Sequence, residues 1–65
     1  VKIKYDPEVD ILYISFSEAI IDESDEDKPG VILDYDAQGN IVGIEILDAS
    51  KRMDNPRAVE YAVAP

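Results

Sequence analysis

The stretch "PGVILDYDAQGNIVGIEILD", residues 29 to 48, constrains this chain more than any other. Within it, residues 34 to 45 carry the spacing of a twelve-residue EF-hand calcium loop: Asp34, Asp36 and Gln38 at the first, third and fifth positions, Gly39 at the sixth and Glu45 at the twelfth. An EF-hand needs a helix entering that loop. Here the residues before Asp34 are a Pro-Gly pair and then Val31-Ile32-Leu33, a helix breaker followed by a β-favouring run. The same residues therefore read as a β-hairpin. A four-residue loop, Asp36 to Gly39, pairs Tyr35 with Asn40, Leu33 with Val42 and Val31 with Ile44. That places Val31, Leu33, Tyr35, Val42, Ile44 and Ile46 on one face. Gly39 supplies the left-handed backbone, and Asp36 accepts hydrogen bonds from the turn amides.

The rest of the chain agrees with a sheet. Val1, Ile3 and Tyr5 alternate with Lys2 and Lys4, Asp6-Pro7-Glu8 turns the chain, and "DILYISFS" is apolar on both faces, the mark of a central strand. Strands are expected at residues 1–5, 10–16, 31–35 and 40–47, with a further short one at 19–23. The acidic run from Asp22 to Asp27 reads as an open connection, because like charges repel and Lys28-Pro29-Gly30 ends it. After residue 47, Asp48 is placed to cap a turn through "ASKRM". Asn55-Pro56 then reads as an N-cap and first helical position for a short helix with Val59, Ala62 and Val63 at helical spacing. The fold class is α+β: a small antiparallel sheet of four to five strands in meander-like hairpins with a short C-terminal helix. The chain forms one domain, sheet at 1–47 and helical tail at 48–65.

Sixty-five residues lie near the lower limit for a self-sufficient core. The chain has no cysteine and no histidine, which removes disulfides, thiolate metal sites and the commonest general base. Oligomerisation is the remaining way to gain stability. The formal charge is −9, from fifteen acids against six bases, so phosphate backbones and anionic membranes are repelled. No direct nucleic-acid contact and no membrane span are expected, and the location expected is cytoplasmic. With serines, tyrosines, lysines and carboxylates but no activating histidine, and too little chain to build a deep cleft, the chain is expected not to be an enzyme and to take no cofactor.

"KIKYDPEVDILYISFS", the acidic "ESDE", and "PGVILDYDAQGNIVGIEILDAS" followed by "KR" resemble, in this order, the YuzE-like small bacterial and archaeal proteins of domain-of-unknown-function family 2283. The resemblance implies a fold type and transfers no catalytic residue. Some similar proteins are encoded beside small toxin-like proteins, which implies an antitoxin-like role.

The leading expectation is a small acidic interaction module that forms a homodimer and docks a basic protein partner in an antitoxin-like way. The interface is assigned to Ile11, Tyr13, Ile32, Ile41, Leu47 and Met53, on the sheet face opposite Val31 and Leu33 and at its edge. The alternative is a divalent-cation-binding hairpin through the loop at 34–45, with Asp34, Asp36 and Glu45 as weak ligands.

Overall fold

The structure is a computed structural model that describes all residues from Val1 to Pro65. Five strands form one antiparallel sheet: β1 (Lys2–Asp6), β2 (Ile11–Ser15), β3 (Glu23–Lys28), β4 (Val31–Tyr35) and β5 (Ile41–Leu47), followed by a single helical turn, α1 (Ala49–Arg52). The spatial order is β1-β2-β5-β4-β3. Hairpins join β1 to β2, β3 to β4 and β4 to β5, while residues 16–22 carry the chain from β2 to the far edge. Backbone bonds from Phe16 N–H to Val42 O and from Asp22 N–H to Tyr35 O, both 2.8 Å, fasten the two ends of that crossing.

Four of the expected strands occupy their places to within one residue. The fifth differs: residues 19–23 do not form a strand, and the acidic run expected to be an open connection is itself the edge strand β3. Every residue of β3 is exposed, so its carboxylates stay hydrated while its backbone bonds to β4. Solvation screens the like-charge repulsion, and acids on an edge discourage further strands from adding there. The Pro29-Gly30 turn closes the hairpin, with Gly30 at φ +81° and its N–H donated to Glu26 Oε2 at 2.8 Å.

The β4–β5 register also departs from the simple hairpin. Val31 pairs with Ile46 and Leu33 with Ile44, then Asp34 opposes Gly43 and Tyr35 opposes Ile41. Val42 is the extra residue of a bulge, which shifts the pairing beyond it. A one-residue slip moves side chains to the other face. Ile41 accordingly joins the face of Tyr35 and Leu33, against the expectation that it would share a face with Ile32. Val42 leaves that face and is buried beside Asp34 and Gly43.

The expected helix from Pro56 does not form. Asn55 begins a single turn, accepting the Arg57 N–H on Oδ1 at 3.0 Å and the Ala58 N–H on its carbonyl at 3.2 Å, and the chain then continues without regular structure. So short a segment cannot repay helix nucleation without a packing surface, and Val59, Tyr61 and Val63 stay exposed. The helical turn lies earlier, at Ala49–Arg52. Asp48 precedes it in left-handed conformation (φ 53°) and makes no side-chain cap, contrary to the capping role read from the sequence.

The register sorts the apolar residues into two faces. Ile3, Leu12, Ile14, Ile44, Leu33 and Val31 lie on one, the Leu12 face. Ile11, Tyr13, Ile32, Glu45 and Leu47 lie on the other, the Tyr13 face. Only Leu12, Val42 and Ala49 are buried apolar residues, and no large side chain is fully buried. All extensive contacts between elements run between neighbouring strands, so no second sheet packs on this one.

Candidate functional site

The hairpin tip that imitates a calcium loop is built to satisfy itself. Asp36 Oδ1 accepts the N–H groups of Gln38 and Asn40, each at 2.9 Å, and Oδ2 accepts the Asn40 side-chain amide at 3.1 Å. The hydrogen bond from the Asn40 side chain, followed by the one from its backbone, holds the Asp36 carboxyl below the usual carboxylate range. Gly39 takes φ +84° and donates its N–H to Asp36 O at 3.1 Å, closing the turn as a glycine at that position should.

Asp34 points elsewhere. It is 4% exposed and accepts the Ser24 hydroxyl on Oδ1 at 2.6 Å. Gly43 faces it across the ladder: a Cβ there would sit 3.3 Å from Asp34 Oδ2 and 3.1 Å from Ile14 O, so the missing side chain is the space the carboxylate occupies. Glu45 lies two residues on along β5, diagonal to Asp34 on the same face. Burial, a hydrogen bond with Asp34 and the charge of Asp34, in that order, push the Glu45 carboxyl up. The structure thus brings Asp34 and Glu45 together and leaves Asp36 apart. No three acidic side chains, and no other His, Cys, Asp or Glu group of three, converge as a metal cage would require. Residues 17–21 lie along this pair and, with Tyr13 and Val42, frame a shallow cavity of about 260 Å³.

A third acid acts over long range. Asp10, at φ 56°, accepts the Tyr5 hydroxyl at 2.7 Å and the Ser50 N–H at 2.9 Å on Oδ1, and the Ser50 hydroxyl at 2.7 Å on Oδ2. Its own carbonyl accepts the Ala49 N–H at 3.0 Å. The Ser50 hydroxyl, then the Tyr5 hydroxyl, hold the Asp10 carboxyl below its ordinary value, and the bond to Asp10 raises the Tyr5 phenol. Local turn chemistry is the reading the sequence invites for Asp10. Forty residues separate it from Ser50, and no pattern in the sequence marks that pairing.

Among the residues assigned to an interface, Ile11, Tyr13, Ile32 and Leu47 do share the Tyr13 face, whereas Ile41 is on the Leu12 face at 47% exposure. Met53 follows α1 in extended backbone and is half-buried. The Tyr13 face is not purely apolar: Lys2, Lys4, Asp6, Glu26, Asp34 and Glu45 project from it. The Leu12 face carries no formal charge on β1, β2, β5 or β4. At its β1 side the tail after α1 returns, with Pro56 buried and the Arg57 guanidinium 5.6 Å from the Tyr5 ring centroid. Between this tail and Val1, Ile3 and Pro7 runs an open groove of about 780 Å³.

An open five-stranded antiparallel sheet with a helical turn at its end defines a small β-rich domain. The chain belongs to the family described as protein of unknown function (DUF2283), whose match covers residues 2–50. It is also similar to an uncharacterised protein of Methanocaldococcus jannaschii, 43% identical over 51 residues, a stretch that is 78% of this chain and 43% of that protein. The matched stretch thus spans less than half the length of that relative. No solved structure matches the chain. No helix is long and apolar enough to cross a membrane.

Proposed function

We propose that the chain is an interaction module that completes its core by associating with a second copy of itself. One observation carries this reading. The chain exposes 5129 Å² at 7.2 kDa, whereas a compact monomer of that mass exposes roughly 4,100 Å². The excess, about 1,000 Å², is close to the ~800 Å² that one partner contributes to a stable protein interface. The slab-like extents, 34 × 33 × 19 Å, agree with a single sheet awaiting a second layer. Sedimentation equilibrium on the whole chain tests the reading: twice the monomer mass is expected at micromolar concentration. A chain that stays folded and monomeric at high micromolar concentration refutes it.

A basic protein partner fits the acidic edge. Strand β3 exposes Glu23, Asp25, Glu26 and Asp27, a field that speeds encounter with a basic surface and repels acidic ones. This is the surface that an antitoxin-like role would use. Co-expression with the product of a neighbouring gene encoding a basic, RNase-like protein is expected to yield a complex that weakens when Asp25 and Glu26 are neutralised. An unaltered complex would remove β3 from the contact.

A further inference from the structure

The reading as a self-associating module leaves open which surface the second copy covers, and the charge pattern selects one. We infer that two copies pack sheet on sheet through their Leu12 faces, about a two-fold axis running along the strands.

The edges are unsuitable first. Pairing β3 with its own copy brings two rows of carboxylates together, and pairing β1 with its copy brings Lys2 and Lys4 against themselves. The Tyr13 face is unsuitable next, because burying it desolvates the Asp34–Glu45 pair, where Glu45 already resists ionisation, together with Lys4 and the exposed Lys2–Glu18 ion pair. The Leu12 face has neither defect. Ile14, Val31, Leu33, Ile44 and Ile46 form a continuous half-buried apolar surface across β2, β5 and β4, with charged residues, Glu23, Asp25 and Lys28, only on the β3 margin.

The direction of the axis follows from shape. A two-fold axis across the strands would stack β3 over its own copy and each tail over the partner's tail. An axis along the strands sets the central strand β5 over its copy and β3 over the partner's β1. That second arrangement also fits by thickness. The tail residues Pro56 to Tyr61 thicken the β1 side of the Leu12 face, and the β4–β3 side is bare, so each tail meets the partner's bare margin.

Two adjacent residues of β4 make the matched test. Leu33→Glu places a carboxylate at the centre of the proposed contact and is expected to weaken the dimer on the order of a hundredfold or more. Ile32→Glu, on the opposite face, is expected to leave it assembled. Should Leu33→Glu unfold the chain, the absence of native cysteine gives a milder reporter. Ile44→Cys should be crosslinked between copies by a bismaleimide spanning the roughly 10 Å between packed sheets, and Glu45→Cys should not. Dimers lost with Ile32→Glu and kept with Leu33→Glu, or crosslinking at Glu45→Cys alone, would each overturn the arrangement while the wild-type dimer stands. A wild-type monomer instead refutes self-association itself.

Discussion

Asp10 and Glu45 are carboxylates on one small sheet, and their surroundings push them in opposite directions. Asp10 gathers donors from β1 and α1, and each bond favours its ionised form. Glu45 receives the opposite treatment, burial and a neighbouring carboxylate, and both disfavour its charge. The comparison teaches that an acid here is stabilising where the chain brings donors to it and costly where the ladder brings it another acid. Only the second kind stores repulsion that a change of state could release.

The largest break in that comparison should come from Gly43→Ala. The added methyl meets Ile14 O and the Asp34 carboxylate, and crowding of this kind costs roughly 1–3 kcal/mol. Urea unfolding reads it, and the buried acid pair should be disturbed while the Asp10 latch is untouched. Next comes Asp10→Ala, which strands the Tyr5 and Ser50 donors and puts alanine in a left-handed conformation. A clear fall in melting temperature is expected, larger than that of Ser50→Ala, with Asp10→Asn recovering part of it because asparagine tolerates that backbone.

Acid titration sharpens the contrast further. Asp10 and Asp36, depressed in the fold, contribute stability that is present above their unfolded pKa of about 3.9 and is lost as pH falls through the folded values. Glu45 has the other sign. Its folded pKa lies above the unfolded value of about 4.3, so its ionisation opposes folding at neutral pH and protonation relieves that as pH falls. Stability should therefore rise slightly on mild acidification before it collapses. The smallest effect is Glu45→Gln, which should remove that rise and stabilise the chain at neutral pH by under about 1 kcal/mol after solvent screening. A profile that falls monotonically from pH 7 in both the wild type and Glu45→Gln would mean that the pair stores nothing.

Alternation and punctuation were legible in the chain. Val1–Tyr5, the run at 10–16 and the two arms around Gly39 announce strands because the side-chain period of a strand is two and the breakers stand between them. The self-satisfied turn of Asp36 was legible for the same reason, since its partners lie within four residues. Residues that contact each other across the fold were not. The bulge at Val42, which moves Ile41 to the Leu12 face, is decided by how β5 fits β2 and β4 at once. The strand identity of Glu23–Lys28 depends on an edge where carboxylates stay in water, a circumstance that local charge repulsion does not contain. Asp34 meets Ser24 and Glu45, and Asp10 meets Ser50, only when register and topology close the distance. Sequence by itself determined where four of the five strands and the turn at Gly39 fall, because those depend on neighbours along the chain. The tertiary structure alone decided which acids meet and which face is left free of charge, because those depend on neighbours in space.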